Sequence, residues 1–423
     1  LTDVQRDDCD YSVVIKQQGS KKTTGPINPI TVGWPMKIVE LRECTVPLQG
    51  DIANSLVNFS AHTVSLVAVI SDVVRNGRPV SGVAFNSIGR FAQAGLLQER
   101  FFPRVRSAPV DSLLYRDGSG FDPDKVVACV MANEKPGGHG DRAAAVGGLE
   151  LAIWDLNAKL AREPACQLIA RQFNNQFIQD TVPVYAAGGY YHPDKGLGGL
   201  ANELRQYQDL GYQDFKIKIG GASLTEDIKR IEAAIAIAGS GAQVAVDANG
   251  RFDLETARSY ARELGQYELK WLEEPGDPLD FALNREIIEH YGGVIATGEN
   301  LFSCADVHNL IRYGGMRADL DIFQMDPGLS YGITELARMI KIMEANGYSR
   351  KSAYPHGGHM INLHVVLGLG LAGCEAYPGV FQPFGGYASG CLDGQGRVRA
   401  GDASGFGLET KPELKTWIDR LLA

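Results

Sequence analysis

From about residue 180 the chain repeats one unit: a short apolar run, a polar residue that closes it, a loop, then a helical stripe. The closing residues are Lys218, Asp247, Glu273, Glu299, Asp326 and His356, at intervals of about 26–30 residues. The runs before them read FKIK, VAVD, KWLE, VIATGE, DIFQMD and SAYPH. PVYAAGG precedes the row as a first strand and AGCEAYP, with Glu375, follows it as an eighth. Between strands, apolar residues recur at helical spacing: Ile228, Ile231 and Ile235 after the capping box Ser223–Glu226, then Leu254, Ala257, Ala261 and Leu264. The helix after Glu299 carries Val307, Leu310 and Ile311, and the helix after Asp326 carries Ile333, Leu336, Ile340 and Met343. Strands alternating with helices predict a parallel sheet, and eight such units predict a closed α/β barrel. Each polar residue then sits at the carboxyl end of a strand, where such barrels place their chemistry.

The region before it has another pattern. MKIVELRECTV, TVSLVAVISDVV and GVAFNSIGR read as strands, with RNGRPV as a turn, and DRAAAVGGLELAIWDLNAKLA as a long helix. This predicts an α+β domain over 36–165, a barrel over 166–385 and a segment, 386–423, that returns to the first domain through the helix PELKTWIDRLLA. Residues 1–35 are polar and weakly periodic, without the apolar middle of a signal peptide, and are expected to be a disordered or tag-like extension.

Composition narrows the partners. The formal charge of −9 argues against nucleic acid or an anionic membrane. No apolar stretch approaches the length of a membrane span. Seven scattered cysteines without a CxxC suggest a reducing, cytoplasmic setting.

The row itself carries the chemistry. Phe215, Ile217 and Ile219 share one strand face, and Lys216 and Lys218 the other, toward the barrel mouth. Mutual repulsion and burial are expected to lower their pKa, which would make Lys218 a general base beside Lys216. Asp247, Glu273 and Glu299 converge as hard oxygen ligands suited to Mg²⁺, with Glu274 competing with Glu273 for the middle position. Asp326 can orient His356, while His359 is read as a turn residue without a role. A cation, a base and a His–Asp pair suit removal of the proton beside a carboxylate, with the negative charge held on the metal. Two outcomes follow: racemisation or epimerisation if the acid returns a proton to carbon, and dehydration if it protonates a β-hydroxyl. A metal-bound barrel that only binds is a third reading.

KIK, VDANG, WLEEP, TGEN, MDPGLS and PHGGH together resemble the enolase superfamily, in its mandelate racemase-like subgroup, over nearly everything from Met36 onward. The resemblance implies a modified TIM barrel with an N-terminal α+β capping domain that the C-terminal segment completes. It implies Mg²⁺ held by Asp247, Glu273 and Glu299, Lys218 as base, and His356 paired with Asp326. Within that subgroup, ANEKPGGHG, YAAGGYY, YPHGGH and FQPFGGY are most similar to the D-tartrate dehydratases. That implies a small hydroxy-acid substrate, loss of its β-hydroxyl assisted by His356, and substrate contacts from Asn54 and Lys135. Tyr185 and Glu375 are further candidates by their places at strand ends, and a homo-oligomer is expected. One position departs: Ile88 stands where this pattern carries a polar Asn, which removes a polar contact and bears on which acid is used.

Overall fold

Three β-branched-rich runs form an antiparallel sheet in the order β1 (Ile38–Pro47), β2 (Thr63–Arg75), β3 (Arg78–Phe85). Asn76 and Gly77, both at positive φ, make the two-residue turn between β2 and β3, the geometry that matches strand twist. The computed structural model describes residues 36–50, 52–192 and 196–423, so the extension expected over 1–35 lies outside the described residues.

The helix Gly140–Ala161 packs on β3 and β2 and is buried at every position from Ala143 to Ala158. Its glycines and alanines permit that. A Cβ at Gly82 of β3 would lie 2.0 Å from the Ala152 carbonyl oxygen, and one at Gly147 would lie 2.2 Å from the Ser330 carbonyl oxygen. The helix therefore touches the sheet on one side and the loop at Ser330 on the other. One of its two buried acids, Glu150, accepts from the amides of Ile333 and Thr334, the Thr334 hydroxyl and Trp154 Nε1. It thus caps the helix Ile333–Ala345, whose first amides lack partners of their own.

The second sheet is parallel and curled, in the order β10 (Cys374–Ala376), β4 (Val182–Gly188), β5 (Asp214–Lys218), β6 (Val244–Asp247), β7 (Trp271–Glu273), β8 (Ile295–Thr297), β9 (Ile322–Phe323). The short strand β11 (Arg397–Val398) runs antiparallel on β4. Helices at Leu224–Ala238, Leu254–Leu264, Cys304–Tyr313 and Ile333–Ala345 fall where the apolar stripes place them. The Ser223–Glu226 capping box forms, and Gly239 ends that helix at φ 97°.

One expected strand does not form as a ladder. SAYPH makes a single parallel bridge, Phe323 with Ala353. Tyr354 and His356 donate their amides to Phe323 and Gln324, and Ala372 donates to Ala353. Pro355 has no amide to continue the pairing, so isolated bonds close the gap between β9 and β10. The last helix, Pro412–Leu422, buries Leu414, Ile418 and Leu421 and packs on β1, where Arg42 Nη1 donates to the Leu421 carbonyl. Among the described residues the cysteines are free, and no helix is long and apolar enough to cross a membrane.

Candidate active site at the carboxyl ends of the parallel strands

Ladder register assembles the row. Lys218 pairs with Asp247 across β5 and β6, and Asp247 with Glu273 across β6 and β7. Adjacent strands thus set lysine beside carboxylate, rather than lysine against lysine. Lys218 Nζ donates to Asp247 Oδ2 and lies 5.2 Å from the Tyr190 ring centre. Lys216 Nζ is 2.7 Å from Glu273 Oε1 and 2.8 Å from Glu375 Oε1. Burial alone would depress both lysines, but these carboxylates outweigh it and hold both above the usual lysine range. The expected downward shift is therefore corrected: the sign is set for Lys218 by Asp247 on the next strand and for Lys216 by Glu273 and Glu375, each two strands away, and these acids matter more than the second lysine.

The acids divide by depth. Asp247 and Glu273 are fully buried. Lys218 and Lys216 outweigh the burial of Asp247 and keep its carboxyl below the ordinary range, whereas burial and the charge of Asp247 push Glu273 up to about 7. Glu273 accepts from Lys216 at one oxygen and from Trp271 Nε1 and Gln324 Nε2, both at 2.8 Å, at the other. Glu274, at φ 37°, turns instead to a cavity of about 250 Å³ that Glu299 also lines. Burial and Glu299 raise its pKa, and the Asn300 amide donates to it. Asn249, on the same wall, donates to both oxygens of Asp247 and leaves its own buried Oδ1 without a partner. Among the described residues no three His, Cys, Asp or Glu side chains are grouped as a ready metal cluster; Lys216 and Lys218 stand between the acids.

Fit to a divalent cation can be judged from these donors. A carboxylate offers about four lone-pair sites. Glu273 uses three, so one remains. The unpartnered Asn249 oxygen adds a neutral hard donor beside Asp247. An all-oxygen set with accumulated negative charge suits Mg²⁺, and the residues present fit it.

His356 enters the same cavity. Its Nδ1 is 3.0 Å from Asp326 Oδ2, whose other oxygen accepts the Gly328 amide. Its Nε2 is 3.1 Å from the Tyr377 hydroxyl and 3.7 Å from Glu299. Burial works against the charged ring, but Glu299 and Asp326 prevail and push its pKa up to about 9. His359 is not a plain turn residue: its side chain caps the helix Met360–Leu369, and its Nε2 is 3.2 Å from Ser87 Oγ.

The substrate candidates separate. Asn54 lines the cavity, with Oδ1 accepting the amides of Leu56 and Val57, and Ile88 lines it too. Tyr185 and Glu375 are buried against Lys216 and do not line it. Tyr185 packs edge-on to Trp271 with Lys216 above its ring, and Glu375 pairs with Lys216 and accepts the Gly357 amide. Lys135 is not brought to the cavity: it is exposed, and Arg142 holds its carbonyl in a loop outside. The cavity instead contains Arg90, Tyr190, Asn300 and Tyr377, which sequence reasoning missed. Tyr377 lies two residues beyond Glu375 and Asn300 one beyond Glu299, so both were within reach of the strand-end rule. Arg90 lies in an aperiodic loop and carries no such signal.

The family model described as enolase C-terminal domain-like matches residues 199–414. Among curated relatives, the arabinonate dehydratase of Saccharolobus solfataricus is 29% identical over 235 residues, 55% of this chain and 60% of that protein. The L-talarate/galactarate dehydratase of Salmonella typhimurium is 28% identical over 301 residues, 71% of this chain and 70% of the relative. Alignment to the first of these thus spans less than two thirds of its length. A racemase from Streptomyces coelicolor A3(2), solved with bound magnesium, superposes with a TM-score of 0.71 at 23% identity, covering 91% of this chain and 99% of that one. The Salmonella dehydratase, solved with Mg and L-lyxarohydroxamate, gives 0.69 at 21%, covering 92% and 94%. At these identities the structural likeness is one of fold.

Proposed function

This chain belongs to the enolase superfamily, through its enolase C-terminal domain-like region, and on that premise we propose that it is an Mg²⁺-dependent hydro-lyase of a small hydroxy acid, with D-tartrate the first substrate to test. The observation that carries the proposal is that Lys218, at the end of β5, and an Asp-oriented His356, from the segment between β9 and β10, open into one cavity beside Glu299. The dehydratases among the relatives support it.

In this reading Asp247, Glu273 and Glu299 hold the cation, and the open Glu273 lone pair and the Asn249 oxygen give it room. When bound, Mg²⁺ supplies positive charge against the substrate carboxylate, which lowers the cost of losing the α-proton. With Asp247 given to the cation, Lys218 would lose the carboxylate that keeps it protonated. Lys218 Nζ takes the α-proton. His356, charged at neutral pH, gives its Nε2 proton to the β-hydroxyl, which departs as water. The C–O electron pair leaves with that oxygen and the former C–H pair becomes the new double bond, so the product is an enol that rearranges to a 2-keto acid. Lys216 stays charged under Glu273 and Glu375 and steadies the floor. The same reading divides the chain into a cap (36–165), a barrel (166–385) and a closing segment (386–423).

A screen of four- to six-carbon hydroxy acids for 2-keto acid, with Mg²⁺ and with excess EDTA, tests this. The expected result is keto acid from at least one acid, lost in EDTA and restored by Mg²⁺. Substrate inversion without keto acid would place the chain with the racemases instead.

A further inference from the structure

The capping segments close one side of the cavity with Leu56, Val57, Phe59 and Ile88. Hydroxyls of a bound substrate pressed on that wall would lose water and gain no partner. One cation interrupts it. Arg90 donates through Nη1 to the Gly89 carbonyl at 3.0 Å and through Nη2 to Asn300 Oδ1 at 2.9 Å, and its guanidinium carbon lies 5.3 Å from the Phe302 ring centre. Two of its five N–H groups are thereby used. The other cations of the cavity are all matched by acids: Lys218 by Asp247, Lys216 by Glu273 and Glu375, His356 by Asp326. Among the described residues Arg90 forms no ion pair.

Its orientation is also prearranged. Asn300, which accepts from Arg90, donates its own amide to Glu274, so the guanidinium is tied to the barrel rim from the capping side. A planar fork held this way suits two-point binding of a carboxylate, and the apolar wall around it strengthens the pairing.

We propose that Arg90 binds a second anionic group of the substrate, so that the substrate is a hydroxy diacid with one carboxylate at the barrel floor and the other under the cap. Arg90 thus takes the place of Lys135 as the substrate-contacting cation. The substrate class rests on the hydro-lyase reading; the binding of a distal carboxylate does not.

Two arms test it. In the first, diacids are compared with the monoacids that carry a hydroxymethyl in place of the distal carboxylate, tartrates against 2,3,4-trihydroxybutanoates and hexarates against hexonates. The wild-type ratio of kcat/KM is expected to favour the diacid by about 100-fold, the scale of a desolvated charge pair. Arg90→Gln should bring the ratio within about threefold, and Arg90→Lys should recover part of it. In the second arm, calorimetry compares succinate with butyrate on the Mg²⁺-loaded protein. Succinate is expected to bind more tightly to wild type, and the difference to vanish in Arg90→Gln. Equal use of diacid and monoacid by wild type, or an equal loss on both in Arg90→Gln, overturns the inference and leaves the hydro-lyase reading standing. Absence of keto acid from every acid rejects that reading, and the succinate arm then decides the role of Arg90 alone.

Discussion

Replacing Asp326 by asparagine isolates one of the two contacts, the other being Glu299, that hold the charge of His356. Asp326 is fully buried; Oδ1 accepts the Gly328 amide at 2.8 Å and Oδ2 faces His356 Nδ1 at 3.0 Å. Asparagine can keep its carbonyl on Gly328, and its NH₂ then points at Nδ1. The ring nitrogen must accept instead of donate, which favours the neutral ring with its proton on Nε2. A hydrogen bond to a charged group contributes about 1.5–3 kcal/mol. At about 1.36 kcal/mol per pKa unit, the His356 midpoint should fall by roughly one to two, starting from about 9. Folded His356 titrates above its unfolded value of 6.5. The pair therefore stabilises the fold fully below about pH 6.5 and loses that contribution as pH rises through about 9. Asp326→Asn should cost more stability at pH 6 than at pH 10. The assays are an NMR titration of ¹³C-labelled histidine in metal-free protein, with the signal assigned by His356→Asn, and urea unfolding at both pH values. A midpoint unchanged in the variant, or the same stability loss at both pH values, would refute the reasoning.

Other outcomes bear on single residues. Lys218→Ala should reduce exchange of the substrate α-proton with solvent by about 10²–10⁴-fold, whereas His356→Asn should retain exchange and lose elimination; undiminished exchange in the lysine variant removes it as the base. Mg²⁺ affinity, read from the fluorescence of Trp271 beside Glu273, should fall at least about tenfold more in Glu273→Gln than in Glu274→Gln, the margin separating a ligand from its supporting groups. A larger loss in Glu274→Gln would move the middle ligand to Glu274, whose positive φ already turns it to the cavity.

The parallel strands and their closing residues were legible because two local signals coincide: an apolar run fit for a wrapped strand, and a polar residue where that strand meets the mouth. Asp326 and His356 illustrate this, since the intervals place them side by side and the structure sets them 3.0 Å apart. What failed to show depends on groups distant in sequence. The lysine pKa direction follows from β5–β6–β7 register, which puts Asp247 and Glu273 against Lys218 and Lys216. The SAYPH segment carries an apolar run, but Pro355 leaves it one bridge. Lys135 and Arg90 are both loop cations. Only the packing of the cap on the barrel decides that Arg90, tied to Asn300, faces the cavity and that Lys135 faces solvent.

The most direct test of the hydro-lyase chemistry is incubation of the Mg²⁺-loaded protein with tartrate isomers and sugar diacids in D₂O, followed by ¹H NMR and a keto-acid assay. Elimination through Lys218 and His356 predicts a 2-keto acid carrying solvent deuterium at C3, with no inverted substrate. Recovered substrate that is inverted at C2, deuterated there and unaccompanied by keto acid would contradict it.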